Sequence, residues 1–425
     1  MAARTSLALL FLAAGLQAQA RFDWVISNLT GGGASFYGDS LLIFSHQTRT
    51  LLRQIVLPSA GGNDVGGVVM DPINDGAWIV TVDDDVLRVT TGGVITTIAA
   101  NLGSAIHGID TDEDGTFVVV RQGGIMNRVS VTGVVTTITS GLGANVNAVK
   151  WDLDTGNYVA GNAGATPILW RVSRAGVITT LANTIPGIGI VGGIDQDPRT
   201  GDFLVCGSAT VARVTAGGVV TTAVNSPAEL NGANHLTLLP TGHPDGEYNV
   251  AVADFGPAPT GLYTYDLGAG RLVSTILHYP GGAAAGIGPS GVLVHQGRAL
   301  HGEGNGRGGT NYRLGLRNPV SEAGRTYVIS GSFGARPGFQ LPDGRQVNLA
   351  LDPLYFVTTQ NLLPAIFQNF LGVLLPNGDR DAFVFILNDP IIIGLRTFYS
   401  FAIVDGAAPN GIGFVSNTHA FSVKP

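Results

Sequence analysis

At 425 residues the chain is long enough for two or more domains, each with its own core. Only 12% of residues are charged and 62 are Gly, a composition that suits an all-β protein with many tight turns. The net charge of −7 and the lack of any Lys/Arg run exclude a nucleic-acid surface and an electrostatic membrane-surface site.

The chain opens on an export signal: Arg4, then the apolar run "SLALLFLAAGL" (residues 6–16), then the small residues "AQA" (18–20). The run is too short to span a bilayer. Residues 1–20 are therefore expected to be a signal peptide, with a mature chain starting near Arg21 and no transmembrane segment after it. The expected location is secreted, extracellular or cell-surface. The one cysteine, Cys206, allows no intrachain disulfide and sits in the apolar run "DFLVCGS", so it reads as a small buried hydrophobe.

A near-identical stretch then recurs four times: "RVTTGGVITTIA" from Arg88, "RVSVTGVVTTIT" from Arg128, "RVSRAGVITTLA" from Arg171 and "RVTAGGVVTTAV" from Arg213. The spacing of about 40 residues fits propeller blades or helical arrays. Val, Ile and Thr dominate, and Gly93, Gly133, Gly176 and Gly218 interrupt each copy midway, so each copy predicts a β-hairpin. The upstream halves, such as "GIDTDEDGTFVVV" from Gly108 and "GIDQDPRTGDFLVC" from Gly193, predict a second hairpin. Four short strands per repeat make one antiparallel blade. Degenerate copies at 41–56 and 262–277 extend the count to six. "FDWVISN" (22–28) and "GVLVHQGRALHGEG" (291–304) either close the ring or supply most of a seventh blade.

The pattern "HGIDTDEDGTFVVV…NRVSVTGVVTTIT" from His107 resembles the NHL and streptogramin-lyase-like propeller repeats, well over residues 65–225 and poorly at the flanks. The propeller is expected over 21–301. "GEGNGRGGTN" (302–311) reads as a Gly-rich linker. Residues 312–425, with short aromatic and β-branched runs between turns, predict a β-sandwich. This stretch resembles a module that ends many secreted bacterial proteins, which implies an extracellular accessory role. Within it "NLLPAIFQNFLGVLL" has helical spacing, while "FLGVLLPNGDRDAFVFIL" reads as two strands around Asn377–Gly378. A short turn or helix to about Phe367, followed by two paired strands, is expected.

Candidate chemistry is sparse. "DTDEDG" (110–115) starts like a calcium loop, but the twelfth position is Arg121, so a hairpin turn is the better reading. "GNGRGG" matches a dinucleotide motif without a following helix and is set aside. Aligning the repeats puts His107, Asn147, Gly192 and His235 at or next to equivalent blade starts. Two histidines and an Asn on one channel rim are candidates for a metal site or acid–base pair, with Asp110 as a further ligand. The resemblance implies the same region, since streptogramin lyases use histidines and a divalent metal there, and gluconolactonase-like propellers use Asn and acidic ligands. Asp195 lies further along its strand and Asp254 in another. His295, His301 and Glu303 form a second, looser group.

The leading functional expectation is a non-catalytic binding protein for an extracellular polysaccharide, peptide or protein, with no cofactor. The alternative is a metal-dependent lyase or lactonase-like enzyme with its site at the channel mouth.

Overall fold

The computed structural model describes residues 23–425, apart from 29–38, 59–64, 73–76, 165, 227, 242, 257–259, 280–288 and 296–298. The expected signal peptide, residues 1–20, falls outside the described residues. Six four-stranded antiparallel sheets come first. The second runs Val65–Met70, Ala77–Val82, Asp85–Thr90, Ile95–Ala99, and the third Ile106–Thr111, Phe117–Arg121, Ile125–Val129, Val135–Thr139. The fourth to sixth start at the inner strands Val146–Trp151, Gly193–Gln196 and Ala233–Leu238. The first sheet combines the two ends of this region: Pro289–His295 is its inner strand and pairs with Asp23–Asn28, which continues to Ser40–Ser45 and Leu51–Val56.

Each sheet packs against the next. Strand residues alternate between two apolar layers: Phe117 and Val119 join Ile79 and Val86 of the second sheet, while Val118 and Val120 join Val149 and Tyr158 of the fourth. The same holds across the closure, where Trp24 and Phe44 of the first sheet pack with Ala251 and Leu262 of the sixth. Burial on both faces explains why the second strands are almost uncharged.

The repeated Arg and Gly both have a mechanical cause. Arg88, Arg128, Arg171 and Arg213 lie on third strands and reach back to Asp71, Asp112, Asp152 and Asp197, at 2.5, 2.5, 3.6 and 3.3 Å. Those carboxylates are buried, and in the third to fifth sheets they fold the first turn. Asp112 Oδ1, for example, accepts the Asp114 N–H at 2.9 Å and the Thr116 N–H at 3.2 Å. Gly133 sits in the turn between the third and fourth strands with φ 87°, and a Cβ there would fall well inside contact distance of the Ile98 carbonyl in the preceding sheet. Gly176 and Gly218 approach Ile138 and Leu181 in the same way. The inner strands crowd as well: a Cβ on Gly108 would lie 2.7 Å from the Asn147 carbonyl.

Two larger sheets follow, besides a short two-stranded one, Phe339–Gln340 with Gln346–Val347. One is ordered Ala299–Glu303, Asn311–Arg317, Arg380–Phe385, Phe367–Gln368; the other is Leu371–Val373, Thr326–Ser332, Arg396–Val404, Ile412–Val415, with His419–Ser422 also on Arg396–Val404. Tyr312, Leu314 and Leu316 of the first face Tyr327, Ile329 and Phe401 of the second in one core. Residues 302–311, expected to be a linker, instead hold the end of one strand and the turn that returns it onto Asn311–Arg317. The expected pairing around Asn377–Gly378 does not form either. Leu371–Val373 pairs with Thr326–Val328, whereas Arg380–Phe385 joins the opposite sheet, so the Asn-Gly turn carries the chain between sheets. Leu363 to Phe367 makes one turn, and the helix lies earlier, at Pro353–Thr359, where Asp352 caps Tyr355 N at 3.1 Å and Pro353 sits in the first turn. Among the described residues no helix is long and apolar enough to cross a membrane.

Candidate functional site in the central channel

The inner strands of the six sheets line a central cavity of about 360 Å³. Its polar centre is Lys150, on the inner strand of the fourth sheet. Lys150 Nζ lies 3.0 Å from Asp195 Oδ1 and 3.5 Å from Asp110 Oδ2. Burial alone would lower the lysine, but the two carboxylates hold its pKa above the ordinary value. Burial pushes Asp110 up against the opposing pull of Lys150 and the Trp151 N–H. Each Asp also braces the next sheet: Asp110 Oδ2 accepts Trp151 N–H at 2.7 Å, and Asp195 Oδ2 accepts Leu238 N–H at 2.8 Å. A cation held between two carboxylates, each tied to backbone of the next sheet, links four inner strands in register.

The histidines are divided. His235 lines the cavity, as does Asn147, while His107 is not among the lining residues. A bulge at the start of three inner strands sets which of these residues correspond. Register shifts fall at His107 between Ile106 and Gly108, at Asn147 between Val146 and Ala148, and at Asn234 between Ala233 and His235. The counterpart of His107 is therefore Asn234, and His235 takes the place of Gly108. His235 Nδ1 accepts the Val292 N–H at 3.3 Å, and burial lowers its pKa to about 4, so the ring is neutral at physiological pH. Gly192 also lines the cavity and bonds through its N–H to the Cys206 carbonyl. Burial pushes the Cys206 thiol up.

One mouth of the channel is roofed by the C-terminal sheets. His301 and Asn417 line the cavity from that side, and burial, with Arg317, lowers His301 to about 4. Glu303 turns away to Arg313, at 2.8 Å, and His295 meets Met70 Sδ at 3.2 Å, so the looser group does not converge. The first-turn loops of the sheets hold the roof. Glu113, almost fully buried, binds Arg174 at 2.6 Å within the six sheets and Arg396 at 2.7 Å from the roof. Asp114 pairs with Lys424 and Asp154 with Arg336. Trp151 and Tyr158 share an apolar layer with Val347, Leu349 and Phe398. The "DTDEDG" carboxylates are thus engaged by cations of the chain, Asp110 by Lys150 and Asp112, Glu113 and Asp114 by Arg128, Arg174, Arg396 and Lys424, and they do not converge as a calcium loop. Sequence reasoning missed this docking role and also the place of Lys150. It missed a third feature: among the described residues, the three-residue group able to offer metal ligands is His46, His243 and Asp245, away from the channel.

No family model and no curated protein sequence matches the chain. Solved structures do. A chain of a nidogen/laminin complex aligns with TM-score 0.50 at 12% identity, covering 64% of this chain and 98% of that one. A protein of unknown function from Bacteroides caccae gives 0.51 at 15%, with 64% and 98% covered. Virginiamycin B lyase from Staphylococcus aureus gives 0.40 at 16%, with 61% and 88% covered. At these identities likeness shows the fold alone: the chain carries a β-propeller, the class that its repeat resembles.

Proposed function

We propose that the protein is an exported, non-catalytic binding protein: a six-bladed propeller closed by its two terminal strands, followed from about residue 299 by a β-sandwich that roofs one channel mouth. The observation that carries the binding reading is the outer edge of four successive sheets. Ile95–Ala99, Val135–Thr139, Ile178–Asn183 and Val220–Asn225 are terminal strands of their sheets and contain no charged residue. Thr96, Thr97, Thr136, Thr137, Thr179, Thr180, Thr221 and Thr222 are exposed, as are Val94, Val134, Val177 and Val219 just before them. Natural edge strands are usually blunted by charge or Pro. Four uncharged edges with the same exposed Val-x-Thr-Thr face offer one ligand group four equivalent docking strands, and backbone pairing favours an extended peptide or protein segment. The likeness to a chain of a nidogen/laminin complex gives a precedent for this fold within a protein complex.

The alternative, a metal-dependent lyase or lactonase-like enzyme, places chemistry at the channel mouth around His235. An array of extracellular peptides, proteins and glycans probed with the full chain separates the two. Saturable binding to peptide or protein spots, lost in a Thr136→Lys/Thr179→Lys/Thr221→Lys variant that melts normally, supports the edge reading. Binding that survives this variant but disappears with His235→Ala refutes it and moves function to the channel.

A further inference from the structure

His46 lies in the turn after Ser40–Ser45 of the first sheet, and His243 and Asp245 in the loop after Ala233–Leu238 of the sixth. One ligand atom from each can be chosen so that all three lie within 4.8 Å of one another. His46 Nε2 is 3.9 Å from Asp245 Oδ1, and the two imidazole rings meet edge to face with centroids 4.6 Å apart. Trp24 packs against both rings, at 5.8 and 5.4 Å, and fixes their planes. Asp245 is oriented from behind: its Oδ2 accepts Ser274 Oγ at 2.7 Å and Thr264 Oγ1 at 3.1 Å, which leaves Oδ1 toward His46. Hydroxyls that hold the far oxygen of a carboxylate are the usual outer support of a metal ligand. His46 Nδ1 is buried without a hydrogen-bond partner.

We propose that His46, His243 and Asp245 form a divalent transition-metal site, taking Zn²⁺, that clasps the seam between the first and sixth sheets. Two imidazoles and one carboxylate are a zinc donor set, with a fourth position left for water. Zinc bonds of about 2.0–2.2 Å put tetrahedral ligands roughly 3.4 Å apart, so the 3.9 Å pair closes by about half an ångström. His243 Nδ1 accepts the Asp245 N–H at 3.2 Å. Ligation through Nε2 puts a proton on Nδ1 and gives up that one long bond. Arg49, the nearby cation, is turned to the Thr275 carbonyl at 2.7 Å. The seam is where the fold depends on its chain ends, since the inner strand of the first sheet is the distant segment Pro289–His295. A metal with ligands from both sides cross-links that closure, so occupancy and stability are linked.

The test uses the full chain, stripped with chelator and titrated with ZnCl₂ by calorimetry, elemental analysis and thermal melting. The expected result is one Zn²⁺ per chain and a melting temperature raised by about 3 °C at 100-fold excess over Kd. His46→Ala and Asp245→Asn should each weaken binding at least about tenfold and abolish the rise, while the exposed-histidine control His278→Ala changes neither. Should Asp245→Asn fail to fold, His46→Ala decides alone, because His46 Nδ1 has no hydrogen bond to lose. Absence of saturable zinc uptake, or uptake that His46→Ala leaves intact, overturns the proposal.

Discussion

Glu113, almost fully buried, ion-pairs with Arg174 of the propeller and Arg396 of the C-terminal sheets. Glu113→Gln keeps its shape and removes its charge. Around it Asp112, Glu113 and Asp114 face Arg128, Arg174, Arg396 and Lys424, three carboxylates against four cations. The substitution leaves two carboxylates, and an amide N–H₂ against one guanidinium. Removing one partner of a buried pair costs about 3–5 kcal/mol, because the other charge stays desolvated. Arg174 keeps Asp114, and Arg396 keeps Ser422 Oγ and the Leu153 carbonyl, so the low end, about 3 kcal/mol, is expected. With an unfolding entropy of about 2.1 cal/mol/K per residue over roughly 400 residues, this is a fall of about 3–4 °C in melting temperature. Glu303→Gln is the comparator. It removes the partner of Arg313, but that pair is 31% and 41% exposed, and a loss within about 1 kcal/mol is expected. Added salt should weaken the effect of Glu303→Gln and leave that of Glu113→Gln nearly unchanged. Equal shifts for the two variants would refute the view that this buried network holds the roof.

Gly133→Ala should destabilise by about 2–3 kcal/mol in urea melts, since it adds a clash with the Ile98 carbonyl to the positive-φ strain. Gly123→Ala, with φ 87° and nothing within 4 Å, should cost only about 1 kcal/mol. Stability should also fall on acidification. Burial lowers His235 and His301 to about 4 and His419 to about 3, from 6.5, so below pH 6.5 the unfolded chain binds more protons at these sites than the folded one. Their stabilisation is complete above pH 6.5 and is lost as pH falls toward 4. Asp254, raised to about 6 by burial, and Asp110, also raised by burial, act in the opposite sense, but they are outnumbered, since burial lowers His46 and His243 as well. Melts taken from pH 7 to 4 should show the decline, and His235→Gln should reduce its slope by about one proton; a flat profile would contradict the neutral, buried assignment.

What could be read from the sequence divides along a physical line. Local periodicity was legible. The 40-residue spacing, the turn glycines and the Arg positions each report a constraint repeated within one sheet and its neighbour, and Gly133 and Gly176 sit in the turns where the repeat puts them. Constraints set by ring closure or by one-residue bulges leave no such trace. His46 and His243 are far apart in the chain and meet only because Asp23–Asn28 pairs with Pro289–His295. The bulge at Asn234 shifts His235 by one place against His107, so an alignment of types could not say which imidazole enters the channel. The C-terminal roof was hidden for a related reason. Val347, Leu349 and Phe398 carry the same apolar signature whether they fill their own core or cover Trp151 and Tyr158 of another unit.

The repeat still contains more than the fold requires. Its Arg is fixed by a buried Asp, and its Gly by the carbonyl of the preceding sheet. The Val and Thr-Thr that follow are exposed; Thr137 accepts from Asn127 Nδ2 at 3.0 Å and Thr179 Oγ1 donates to the Arg171 carbonyl at 3.3 Å, but among the described residues no such contact recurs in all four sheets. Solvent-facing edge positions normally tolerate wide substitution, and charge would protect them from unwanted pairing. The first and sixth sheets show the blunted form: their outer strands, Leu51–Val56 and Arg271–Tyr279, carry Arg53 and Arg271. The four between them do not. Sameness beyond structural need, confined to uncharged edges, is the property expected of a surface that meets one kind of partner several times. The binding reading therefore rests on the part of the repeat that packing leaves unexplained.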